Sequence, residues 1–83
     1  MSNKPISALR NIGPTTAARL HQVGIASQEE LEKLGPLESF RRLKAAFPDK
    51  VSLNALWALQ GALLDLPWNE LPHDLKARLK VEL

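Results

Sequence analysis

Six prolines and four glycines punctuate this chain of 83 residues, and they limit it to short elements. Proline breaks a helix interior and cannot donate to a β ladder, whereas glycine tolerates the left-handed backbone that closes helices. Between these breakers the apolar residues recur at helical spacing, and no stretch alternates with the period of two that a half-buried strand requires. The chain is therefore predicted to contain helices and no strand.

Pro5 fits the first turn of a short helix over Ile6 to Asn11, with Ile6 and Leu9 facing inward. Ile12-Gly13-Pro14 then forms a tight break. A second helix, Thr15 to Val23, places Ala17, Leu20 and Val23 on one side, and Gly24 stands where a left-handed residue closes a helix. Ser27 followed by Glu30 has capping-box spacing and opens a third helix, Gln28 to Leu34, which Gly35 ends. Pro36 opens a fourth with an inner stripe of Leu37, Phe40, Leu43 and Phe47, and Pro48 stops it. Ser52 caps a fifth, Leu53 to Asp65, apolar on nearly every side and so expected at the centre. Pro67 forces a turn, and Pro72 starts a last helix to about Leu83, with Leu75, Leu79 and either Val81 or Leu83 turned inward. The predicted fold class is all-α: a compact five- to six-helix domain, with an N-terminal helix-hairpin-helix packed around a central apolar helix.

A chain this short buries enough surface for one core and not two, so residues 1–83 read as a single domain. With 45% hydrophobic and 24% charged residues it has the composition of a folded protein. Cysteine is absent, which removes disulfides and thiolate metal sites and fits a reducing compartment. The first residues lack a signal-peptide core, and the apolar run Leu53 to Leu66 is too short and interrupted to span a bilayer. The expectation is a cytoplasmic protein without membrane contact.

The net charge of +2 is mild, but its distribution is uneven. Residues 1–26 carry Lys4, Arg10 and Arg19 and no acid. Residues 27–38 carry four glutamates against Lys33, and residues 39–50 carry Arg41, Arg42, Lys44 and Lys50 against Asp49. Two basic zones flank an acidic one, an arrangement compatible with a polyanionic partner.

The pattern with most functional content is Leu9-x-x-Ile12-Gly13, then Leu20, then Gly24-Ile25. It reads as a helix-hairpin-helix over residues 6–25, in which backbone N–H groups at the hairpin and at the start of the second helix point outward and bind phosphate. Gly13 would permit close approach, Asn11, Thr15 and Thr16 would offer donors, and Lys4, Arg10 and Arg19 would supply charge. Pro14 removes one N–H from this nest. Such contacts hold a backbone without reading bases. The alternative is that the hairpin only packs helices together.

The segments "LRNIGPTTAARLHQVGI", "EELEKLGPLESFRRLKAAFP" and "VSLNALWALQGALLDLPWNELP" resemble the C-terminal domain of the TfoX (Sxy) family of bacterial competence regulators. The resemblance runs from about Ile6 to Leu79, and its most specific part extends from Leu53 through Trp68-Asn69 to Leu71-Pro72. It implies an all-helical domain related to DNA-binding helix-hairpin-helix units. In full-length members this domain follows an α/β domain, and those proteins help activate DNA-uptake genes alongside the cyclic-AMP receptor protein. A complete competence-regulator role does not carry over from the C-terminal half alone.

Arg41, Arg42 and Lys44 form a second candidate basic surface, against the ordinary reading of a solvated helix face. Trp57 and Trp68 could serve as base-stacking platforms. Both are instead assigned to the core, Trp68 closing its base at the turn after Pro67. His21 and His73 have no ligand partner at i+3 or i+4, so no metal is expected, and no motif suggests a cofactor or catalysis. The leading expectation is a non-catalytic, transcription-associated module that holds DNA through its phosphates. The alternative is an interaction domain that docks on a regulator, on RNA polymerase or on itself.

Overall fold

A computed structural model of the chain describes residues 3–83. Four α-helices carry the fold: α1 (Pro14–Gln22), α2 (Gln28–Ala46), α3 (Leu53–Leu64) and α4 (His73–Glu82), with 3₁₀ turns at Ile6–Ala8 and Trp68–Glu70. The class is all-α as expected, but the count of five to six helices is not. The expected first helix is only the 3₁₀ turn, because Leu9 is extended (ψ 150°) and Asn11 is left-handed (φ 71°). The backbone of this segment bonds elsewhere: the Ile6 N–H donates to the Ala26 carbonyl at 3.0 Å and the Gln28 N–H to that of Lys4 at 2.8 Å. This pairing makes a single antiparallel bridge between Pro5 and Ser27, and among the described residues no strand is formed.

The two helices expected on either side of Gly35 form one span, α2, with a break inside it. Gly35 has φ 81° and ψ 167°, a conformation that essentially only glycine adopts. Pro36 then restarts the helix. The buried Ser39 hydroxyl donates to the Gly35 carbonyl at 2.7 Å, which satisfies both groups at the kink.

Local signals explain the other ends. Ser27 caps α2, its Oγ accepting from the Glu30 N–H at 3.3 Å while the Glu30 carboxylate accepts from the Ala26 N–H at 3.0 Å. Gly24, at φ 87°, closes α1 with the Ile25 N–H donating back to the Leu20 carbonyl at 2.9 Å. Asp65 takes the same left-handed position after α3, and the Leu66 N–H reaches the Gly61 carbonyl at 2.8 Å.

The core is continuous. α3 contributes Leu56, Trp57, Leu59 and Ala62 to it, and α2 lays Phe40 and Leu43 against it. Ile6, Leu20, Ile25 and Leu31 are fully buried on the N-terminal side. The radius of gyration is 11.7 Å. A single folded unit of this length should measure about 12 Å, and among the described residues one cluster of buried side chains runs from Ile6 to Leu79. On α4, Leu79 is buried and Leu75 half-buried as expected, but Val81 and Leu83 are both exposed, contrary to expectation. Val81 lies two residues past Leu79, about 200° round the helix, and Leu83 falls beyond its last turn. Among the described residues no helix is long and apolar enough to cross a membrane.

Candidate nucleic-acid interface

Asn11 occupies the turn that leads into α1, and its side chain is turned inward. Its Nδ2 donates to the carbonyls of Leu66 at 2.9 Å and Ala58 at 3.4 Å, and its Oδ1 accepts from the Trp68 N–H at 3.2 Å. Both amide donors and the carbonyl are thus spent inside the molecule, which corrects the expectation that Asn11 offers donors to a ligand. It is a latch between the N-terminal turn and the segment after α3.

Gly13 is the N-cap of α1, with φ −84° and ψ 177°, and a Cβ built there would meet nothing within 4 Å. This is ordinary extended backbone with room for a side chain, so the fold itself does not require glycine at this position. A Gly13→Ser variant, which supplies a capping hydroxyl and stiffens the unfolded chain, is expected to be more stable by about 0.5–1 kcal/mol. Thermal unfolding should show a rise of a few degrees, and a fall of several degrees would contradict this assignment.

Beside this turn lies an open groove of about 380 Å³. The first turn of α1 reaches it through Thr16, and the start of α3 reaches it through Ser52, Asn54 and Ala55. Arg19 and Lys50 border both this groove and an adjoining depression lined by Pro14, Thr15, Gln22 and Phe47. Arg19 is held over the Phe47 ring, its Cζ 5.7 Å from the centroid. Neither α1 nor α3 has an acid in its first turn, and among the described lining residues of both depressions there is no Asp or Glu. The first turns of α1 and α3, helix ends that carry a partial positive charge, therefore share one surface with two cations.

Trp68 lies on the rim of this groove and is 45% exposed, whereas Trp57 is buried as expected. The placement of Trp68 in the core is thus corrected. The 3₁₀ turn after Pro67 fixes its backbone to Asn11 and leaves the ring half in solvent.

The remaining candidates do not gather here. Arg10 Nε donates to Asp65 Oδ1 at 3.1 Å, an exposed pair. Lys4 is pinned through its carbonyl beside the start of α2. The expected second basic surface is dispersed, because each of its members serves a different neighbour. The Arg41 guanidinium donates to the Glu82 carbonyl at the end of α4, at 2.7 Å. Arg42 contacts the Glu38 carboxylate and the Val23 carbonyl, each at 3.4 Å. Lys44 Nζ donates to the carbonyls of Pro48 and Val51, at 2.9 and 2.7 Å. These cations fasten the ends of α1, α2 and α4.

Lys50, Ser52, Asn54 and Trp68 were not singled out as groove residues by sequence reasoning. Lys50 follows Pro48 in a loop and counts there only as part of a basic zone; its position opposite Arg19 depends on how α1 packs on the end of α2. Among the described residues no group of three His, Asp or Glu side chains is placed to hold a metal.

Comparison with known proteins decides the relationship: the profile of the TfoX C-terminal domain matches residues 2–83. The chain belongs to that family. No curated protein matches it. Two crystal structures from Listeria monocytogenes share the fold of this TfoX C-terminal domain. One, an uncharacterized protein in a triclinic form, is 33% identical with a TM-score of 0.85, over 95% of this chain and 86% of that one. The other, a protein of unknown function in a tetragonal form, is 33% identical with a TM-score of 0.84, over 90% of each chain.

Proposed function

We propose that this TfoX C-terminal domain is a non-catalytic, transcription-associated module of the cytoplasm that holds nucleic acid by its phosphate backbone, without sequence preference. The observation that carries this reading is the acid-free groove where the N-termini of α1 and α3 meet Arg19 and Lys50. N–H groups at helix starts bind phosphate through geometry and dipole together, and the two cations add charge that grows in value as counterions are released. Thr15, Thr16, Ser52 and Asn54 supply neutral donors along the same surface. Of the expected helix-hairpin-helix only the second arm, α1, is an α-helix, and it reaches the groove, while the turn before it acts through Asn11 as a support. The family membership supports a role in regulating competence genes, with this domain as the nucleic-acid contact.

Reversal of both groove cations, Arg19→Glu with Lys50→Glu, is expected to weaken binding to an arbitrary DNA duplex about tenfold or more at low salt and to flatten its salt dependence by about two charges. Arg78→Glu with Lys80→Glu makes the same charge change on α4, outside the groove, and should retain most of the binding. Equal loss in both double variants, with circular dichroism showing both folded, would refute the groove as the contact.

A second reading, docking on a protein, is favoured by α4. Its outer face presents Val81 at 86% exposure beside Ala77, Arg78 and Glu82 around a shallow depression. If that face is the functional one, Val81→Glu abolishes association with the partner and leaves nucleic-acid binding unchanged.

A further inference from the structure

We propose that the groove accepts an unpaired nucleotide, its phosphate between Arg19 and Lys50 and its base against the Trp68 ring, so that the domain prefers single strands to duplex. This rests on the reading of the groove as the phosphate-holding surface and names the form of nucleic acid it takes. The observation behind it is the contrast between the two tryptophans. Trp57 fills the core, but Trp68 stands 45% exposed on the rim of a groove that also holds both cations.

The position of Trp68 is fixed. Its N–H is bonded to Asn11 Oδ1, and its Cα packs 3.5 Å from where a Cβ on Gly61 would sit. A large aromatic ring presented to solvent on a backbone held in this way loses little entropy when a flat partner stacks on it. Base–aromatic stacking tolerates any base, which agrees with a surface that does not read sequence. A B-form duplex keeps its base faces inside the stack and offers Trp68 nothing but phosphate and sugar. A single strand offers both the face and the phosphate. The groove volume of about 380 Å³ lies at the lower end of the range for small-ligand sites, enough for one nucleotide. Asn54, Ser52 and Thr16 line the same space and provide hydrogen-bonding groups for a base edge or sugar.

The same chemistry is present in a free nucleotide, so the test compares three probes on the intact chain at low salt: an oligothymidylate of roughly 12 nucleotides, within the site sizes of small single-strand binders, a mixed-sequence duplex of equal length, and thymidine monophosphate. Binding is followed by intrinsic tryptophan emission and by anisotropy of labelled probes. The single strand is expected to quench the emission and to bind about tenfold tighter than the duplex. Trp68→Ala should abolish the single-strand preference, leaving that variant with single-strand and duplex affinities within about twofold of each other, and Trp68→Phe should retain most of the preference. Equal affinity for strand and duplex without quenching would overturn the proposal and leave the phosphate reading standing. Binding of neither would overturn both. Thymidine monophosphate binding as tightly as the strand would assign the groove to free nucleotides and overturn the single-strand preference.

Discussion

Trp57→Ala is expected to lower the unfolding free energy by about 3–5 kcal/mol, the range for emptying an aromatic site in a close-packed interior. Trp57 is 6% exposed on α3, the helix that packs against α2 and against the 3₁₀ turn Trp68–Glu70. Its ring also lies under Lys76 of α4, with Nζ 5.6 Å from the centroid, so truncation removes part of the seat of α4 as well as the filling of the core. Domains of this size shift their midpoint by about 4–8 °C per kcal/mol, which predicts a fall of about 12 °C or more. Small domains hold only about 5–15 kcal/mol in total, so the variant should be close to unfolded at physiological temperature. A midpoint within a few degrees of wild type would mean that the core is not centred on α3.

The second large effect is expected at Gly61, where adding one methyl group should destabilise the fold by about 2–4 kcal/mol. The sign is opposite to the usual one, because alanine in a helix interior is ordinarily better than glycine by about 1 kcal/mol. Here the added Cβ would sit 2.5 Å from Asn11 Nδ2 and 2.6 Å from the Leu66 carbonyl oxygen. The carbonyl is backbone and cannot swing aside, and the amide is already bonded to Leu66 and Ala58. Gly61→Ala must therefore displace the Asn11 latch, and with it the anchor of Trp68. Denaturant unfolding measures the cost. In a double-mutant cycle with Asn11→Gly, which keeps the left-handed turn but deletes the amide, the combined loss should be smaller than the sum of the two single losses. Additive losses, or an alanine variant as stable as wild type, would contradict the close approach.

These two positions also mark where the sequence was and was not legible. Trp57 could be placed in the core because its helix is apolar on nearly every side, a property of contiguous residues. The ends at Ser27–Glu30 and Gly24, and the break inside α2 at Gly35–Pro36, are legible for the same reason, since caps and kinks involve groups only a few residues apart. At Gly61 nothing in the neighbouring sequence marks a need for glycine. Its requirement for glycine comes from Asn11, 50 positions earlier in the chain, and from a carbonyl that returns past it after the left-handed Asp65.

The candidate site divides along the same line. Thr15, Thr16 and Arg19 belong to one short helix, and their shared surface follows from its periodicity. Their partners, Lys50, Ser52, Asn54 and Trp68, come from later loops and helix starts that only packing brings alongside. Arg41, Arg42 and Lys44 looked like one basic surface because they are adjacent in sequence, but each finds a carbonyl acceptor on a different neighbour. The sequence places Trp68 in the core because the turn after Pro67 would let its ring close the base. What overrides that expectation is the anchoring of its own backbone N–H to Asn11, a bond between residues 57 positions apart.

The central claim, that the groove holds a phosphate backbone, is tested most directly by the salt dependence of duplex binding by the intact chain. Two or three neutralised phosphates should give a slope of log affinity against log salt of about −2 to −3, with micromolar affinity at low salt that weakens as salt approaches physiological concentration. No retention of DNA at low salt, or an affinity indifferent to salt, would contradict the claim and leave the groove as a by-product of packing, with α4 as the surface to pursue.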